Sequence, residues 1–126
     1  MFSHVMLGSN DINESKNFYD ALLGVIGAKS GKIDDKGRLI YVHSGGVLLL
    51  TLPIDGQSAT SANGGTIGFT CGSVEEVDAW HAEGVANGGR SIEDPPGVRI
   101  GAAGEVYLAY LRDPAGNKLC ALHRMG

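Results

Sequence analysis

The chain has 126 residues, of which 43% are hydrophobic and 19% charged, with a net charge of −4. This is one domain's worth of core-forming sequence, and its scattered basic residues exclude nucleic acid or an anionic membrane as the main partner, because phosphate binding needs a clustered basic face. No apolar run approaches a membrane span, no signal-peptide pattern opens the chain, and two cysteines, Cys71 and Cys120, are too few for a disulfide framework, so a cytoplasmic setting is expected.

From the N-terminus, "HVML" predicts a short strand. Asp11, with Glu14 three residues on, has the form of a capping box and predicts a helix start. The helix runs from Ile12 to Leu23, with Ile12, Phe18, Tyr19, Leu22 and Leu23 as its apolar stripe and Gly24 and Gly27 at its end. A strand near 28–33 follows, then strands at 39–43 and 47–52 around the turn "SGG". The polar stretch "PIDGQSATSANGG" at 53–65 is a connection.

The pattern then repeats. Residues from His4 lie over residues from Thr66 without a gap, so Asp11 falls on Ser73, Glu14 on Glu76, Phe18 on Trp80 and Gly27 on Gly89. A second helix is predicted from Val74 to about Val85, with Val74, Val77, Trp80, His81 and Val85 near one face. A strand near 90–93, the Gly/Pro-rich loop "DPPGVRIGAAG", and strands at 106–111 and 118–122 around "DPAGN" complete the second half. In that turn Asp113 starts a tight reversal, so turn chemistry explains it better than catalysis. If the second hairpin turn is two residues longer than the first, Tyr41 corresponds to Tyr110 and Leu49 to Cys120.

The expected fold is therefore α+β. It is a single domain, 1–126, of two tandem βαβββ modules: about 1–53, the 53–65 connection, and about 66–126. Paired side by side, the modules make one curved mixed sheet with the helices on its convex side and a ligand cleft in its concave side.

"HVMLGSNDINESKNFYDALLG" and the strand–"DPAGN"–strand ending "YLAYLRDPAGNKLCALH" together resemble the vicinal oxygen chelate superfamily, which includes glyoxalase I, bleomycin-resistance proteins and extradiol dioxygenases. The resemblance implies paired βαβββ modules around a cleft, often with a divalent metal held by the first and last strands of each module. Those positions fall on His4, Leu49, Thr66 and Cys120. Leucine cannot bind a metal, threonine is a weak neutral donor, and a thiol stands in place of a carboxylate. No metal site is therefore expected, and no cofactor, with a divalent ion disfavoured. The resemblance also implies a homodimer.

Several residues keep more than one reading. His4 is a cleft polar group or general base, a metal ligand, or a structural histidine. Cys120 is cavity lining, or else a nucleophile or ligand paired with His4. Tyr110, and Tyr41 by repeat symmetry, face the cleft or pack in the core. Lys118 shares the face of Cys120 by strand alternation and meets an anionic ligand or extends to the rim. Arg99 is a mobile anion clamp or a solvated loop residue. His43 and His123 are expected at the rim, His81 in packing, and Cys71 in the core.

The leading expectation is a small-molecule binder of bleomycin-resistance type, its cleft lined by His4, Tyr41, Leu49, Thr66, Tyr110, Lys118 and Cys120. The rival is a metal-dependent lyase or dioxygenase-like enzyme using His4 with Cys120. A third reading is a metal-free enzyme with His4 as base and Tyr110 as acid.

Overall fold

The computed structural model describes residues 1–126. The first module comprises β1 (Val5–Gly8), α1 (Ile12–Gly24), β2 (Lys32–Ile33), β3 (Leu39–His43) and β4 (Gly46–Thr51). The second comprises β5 (Ile67–Thr70), α2 (Val74–Ala86), β6 (Arg90–Ser91), β7 (Gly97–Gly101), β8 (Gly104–Arg112) and β9 (Lys118–Arg124). No helix is long and apolar enough to cross a membrane.

Both helices start as expected. The Asp11 carboxylate accepts from the Glu14 backbone N–H at 3.0 Å, and the Ser73 hydroxyl accepts from that of Glu76 at 3.1 Å. Glu76 reaches back to the N–H of Gly72 at 3.0 Å, one residue ahead of the cap. At the C-termini the repeat slips. Gly27 closes α1 at φ +93° and Gly88 closes α2 at φ +102°, one residue earlier than a gapless repeat requires. The same slip shows in the closing bonds, Ala28 N–H to the Leu23 carbonyl and Gly89 N–H to the Gly84 carbonyl.

The "DPPGVRIGAAG" segment is a strand where a loop was expected. Its β-rich Val98, Arg99 and Ile100 pair antiparallel with Tyr107, Val106 and Glu105, at a part of the nine-residue β8 that the two-residue β6 leaves open. Arg99 is held there by the carbonyls of Pro95 at 2.8 Å and Asp94 at 3.3 Å, which leaves no mobile clamp.

The α+β class and the two modules stand, but the modules do not join into one continuous sheet. Their sheets have the orders β1-β4-β3-β2 and β5-β9-β8-β6, with β7 beside β8. Hence β1 and β5 each pair on one side only. Within the chain the modules meet through their helices, where Gly84 of α2 lies against Leu22 of α1 and Leu111 of β8. One core results, with Phe18, Tyr19, Leu22, Leu39, Leu50, Trp80, Leu111 and Leu119 fully buried. Trp80 packs against Phe69 at 6.2 Å between centroids, and its indole nitrogen has no hydrogen-bond partner.

The "DPAGN" turn fastens the modules together. Buried Asp113 accepts from the N–H groups of Ala115 and Asn117 and from the Asn117 amide, as a turn aspartate does. It also accepts from the Tyr19 hydroxyl of α1 at 2.5 Å, while Asn117 donates to the Gly8 carbonyl at 2.9 Å. Neutral donors from the first module and from its own turn thus satisfy a buried carboxylate of the second.

Candidate functional site

Strand alternation divides each sheet into a core face and an outward face. In the first sheet Val5, Leu7, Leu39, Tyr41, Leu48 and Leu50 turn to the core, because Val5 pairs with Leu48 and Leu48 with Tyr41. The outward face then carries Met6, Ile40, Val42, Val47 and Leu49, and the same alternation adds His4 just before β1. In the second sheet Ile67, Phe69, Ala109, Leu111, Leu119 and Ala121 turn inward. Leu108, Tyr110, Arg112, Lys118, Cys120 and Leu122 turn outward, and alternation places Thr66 with them.

These faces lie on opposite sides of the shared core. Leu49 is with His4, and Thr66, Tyr110, Lys118 and Cys120 are together. The two sets do not meet within one chain, so the expected His4–Cys120 pairing inside a single chain is ruled out by the separation of the sheets. His4 is exposed, its ring Nδ1 2.8 Å from the Ser3 hydroxyl.

Tyr41 is on the core side of its sheet, not on the outward face with Leu49, and it borders the cavity between the modules. It is a core residue whose hydroxyl donates to Asp20 of α1 at 2.7 Å. The register of the two hairpins decides this. The first hairpin leaves residues 44–45 unpaired and the second leaves 113–117, so the difference is three residues and not two. An odd difference exchanges the faces. With Leu49 and Cys120 equivalent, the counterpart of Tyr110 is Ile40, since Ile40 pairs with Leu49 as Tyr110 pairs with Cys120.

The second outward face holds the polar chemistry. The Lys118 ammonium lies 4.9 Å from the centre of the Tyr110 ring, a cation–π geometry, and is ion-paired with Glu93. Burial raises the Tyr110 phenol above its ordinary pKa, with Cys120 and the Glu93 carboxylate adding to the shift. Burial likewise raises the Cys120 thiol, against the opposing effect of a hydrogen bond with Tyr110. Both groups therefore carry their protons at neutral pH. The Cys120 thiol donates to the Ala121 carbonyl at 3.4 Å and is not an activated nucleophile.

Glu93 is a residue that reading the sequence did not single out. It follows β6 at φ +59°, in the left-handed region, which costs a non-glycine residue about 1–2 kcal/mol. Its side chain is 46% exposed and that of Lys118 25%, and ion pairs so open to water return about 0–1 kcal/mol. Nothing in "SIEDPPG" signals this conformation, which usually belongs to glycine or asparagine.

The remaining histidines serve structure. His81 Nε2 lies 2.9 Å from the Ser91 hydroxyl, and His123 Nδ1 lies 3.1 Å from the Cys71 carbonyl. Cys71 is in the core, its thiol pushed up to about 11 by burial and nearby Glu76. His43 lines a cavity of about 560 Å³ between the modules, walled by Leu23, Leu48, Ile67 and Phe69 and bordered by β1 and β5.

Of the four positions where the resemblance implies metal ligands, one has no donor atom, and within one chain the others are divided between the two outward faces. Leu49 offers no donor atom, and His4 is on the other side of the core from Thr66 and Cys120. Nowhere do three His, Cys, Asp or Glu side chains gather as metal ligands.

The Glyoxalase/Bleomycin resistance protein/Dioxygenase superfamily model matches residues 1–121. A glyoxalase/bleomycin resistance protein from Albidiferax ferrireducens T118 is 56% identical over 98% of this chain and 99% of its own, with a TM-score of 0.94. A glyoxalase/bleomycin resistance protein/dioxygenase family enzyme from Burkholderia phytofirmans PsJN shares the fold at 19% identity and TM-score 0.76, over 98% of both chains. A putative glyoxalase from Bacillus halodurans does so at 22% identity and TM-score 0.76, over 98% of this chain and 96% of its own. No curated protein matches the sequence.

Proposed function

Because the chain belongs to the Glyoxalase/Bleomycin resistance protein/Dioxygenase superfamily, we propose that it binds a small molecule, without a metal, in a cleft that two copies of the chain build together. The carrying observation is the opposed placement of its two outward faces. One wall is mainly apolar, with Met6, Ile40, Val42 and Leu49, and has His4 at its edge. The other presents Tyr110, Lys118 and Cys120. Beside each wall is a strand, β1 or β5, with a free edge.

Pairing β1 of one copy with β5 of a second closes both edges and brings an apolar wall opposite a polar one. Two-fold symmetry makes the contact twice and produces two clefts. It also covers the inter-module cavity that borders both strands. In the cleft the apolar wall supplies buried area, while the Tyr110 hydroxyl supplies an orienting donor. A cytoplasmic setting suits the two free cysteines.

The test is native mass spectrometry and elemental analysis of protein purified without chelator, in wild type, His4→Ala and Cys120→Ser. The expected result is a dimer that retains or takes up organic small molecules, with no stoichiometric metal in any form. Metal at one per chain that disappears in His4→Ala or Cys120→Ser would overturn the metal-free reading in favour of the lyase or dioxygenase-like one.

A further inference from the structure

Resting on the small-molecule reading above, we propose that the cleft takes an organic carboxylate, and that the Glu93 side chain is an internal stand-in which the ligand displaces from Lys118. Three independent features meet here. Lys118 is on the outward face opposite Arg112, whose guanidinium is taken up by the Gly116 carbonyl, and it lies over the Tyr110 ring beside the Cys120 thiol. Its charge is already matched by a carboxylate, that of Glu93, which comes from a different segment. That carboxylate is delivered by a residue in a left-handed backbone conformation that its side chain disfavours.

A permanent structural ion pair gains nothing from backbone strain. A displaceable one does. Exchanging the Glu93 carboxylate for that of a ligand leaves Lys118 with one anionic partner throughout, so no unpaired ammonium is created on this half-buried face. The exchange also frees Glu93 to enter water and to leave the left-handed region. Beside Lys118, the Tyr110 hydroxyl is a protonated donor that favours an anionic acceptor. Leu108 and Leu122 line the same outward surface, so the carboxylate is carried on an apolar body. A ligand with a positive head would meet Lys118 directly and be rejected.

The experiment titrates wild type, Glu93→Gln and Lys118→Met with benzoate, and with benzamide as a neutral probe of the same shape. Calorimetry gives affinity, and the NMR signals of the labelled Tyr110 ring report the location. Circular dichroism confirms that each variant is folded, and Lys118→Gln serves if Lys118→Met is not. Benzoate is expected to bind Glu93→Gln about three- to fivefold more tightly than wild type, since no internal carboxylate competes there. Its binding is lost when Lys118 is replaced, and the response of benzamide is the same in every form. Equal benzoate affinity in wild type and Glu93→Gln, or binding that survives loss of Lys118, overturns the proposal. If benzoate and benzamide bind every form alike, the carboxylate inference falls and the small-molecule reading stands. If neither probe binds any form, both fall.

Discussion

Asp20, on the solvent-facing part of α1, shows how one carboxylate can hold a module in shape. It accepts from the Lys16 ammonium at 2.6 Å, the Tyr41 hydroxyl at 2.7 Å, and the Gly31 N–H and Ser30 hydroxyl at 2.9 Å. Burial alone would raise its pKa, but these donors outweigh it and bring the carboxyl down to about 2. A lowered folded-state pKa contributes stability that is complete above the unfolded value near 4 and is lost as pH falls toward 2. Asp20→Asn should therefore cost about 1–2 kcal/mol at neutral pH, and much less at pH 2. Urea unfolding of both forms at the two pH values measures this, and an equal loss at both would show that charge is not the cause. Residue-level chemistry is the least legible part of the sequence. The outward face of Cys120 and Lys118 can be read from it, because alternation within one strand is local. The face of Tyr41 cannot, because it depends on the relative lengths of two hairpin turns. Glu93 escapes a sequence reading because its left-handed backbone is set by the loop around it.

At the scale of elements, the helices are legible to within a residue, because an apolar stripe and a capping box are both written locally in Ile12–Leu23 and Val74–Val85. Helix ends are less so: the α2 closure at Gly88 comes one residue early. The next residue, Gly89, is tightly confined. A Cβ added there would lie 2.6 Å from Phe18 Cε1 and 2.7 Å from the Gly84 carbonyl oxygen. The ring could turn away, but the carbonyl belongs to α2 itself. Gly89→Ala should therefore destabilise the protein by about 1–3 kcal/mol. Gly24→Ala, at the end of α1 with open space around it, should be neutral or stabilising by up to about 1 kcal/mol. Thermal or denaturant melts of the two variants separate these outcomes, and similar melts would refute the packing argument. The β7 strand is hidden in the sequence because Gly and Pro residues on both sides mask three β-forming residues.

For the whole molecule, two modules and their α+β class can be read from internal repetition, but their mutual arrangement cannot. Joining β1 to β5 and packing α1 on α2 both bury the same local patterns, and only the fit of Gly84 against Leu22 and Leu111 selects the second. The selected arrangement leaves Met6 41% exposed on the apolar outward face. If two copies pair as proposed, Met6→Asp should leave the secondary structure and melting of the single chain nearly unchanged while shifting dimer to monomer in sedimentation velocity. A variant dimer as tight as wild type would place the contact between copies elsewhere.

Trp80 gives the shared core an optical signature. It is the chain's only tryptophan, it is fully buried, and its indole N–H meets no acceptor. All tryptophan fluorescence therefore originates at one dry point in the shared core, under β5 and away from both outward faces. Its emission should therefore lie at short wavelength and be shielded from aqueous quenchers. Light from this protein reports whether the two modules remain fastened together, and a ligand settling on Tyr110 must be followed by some other signal.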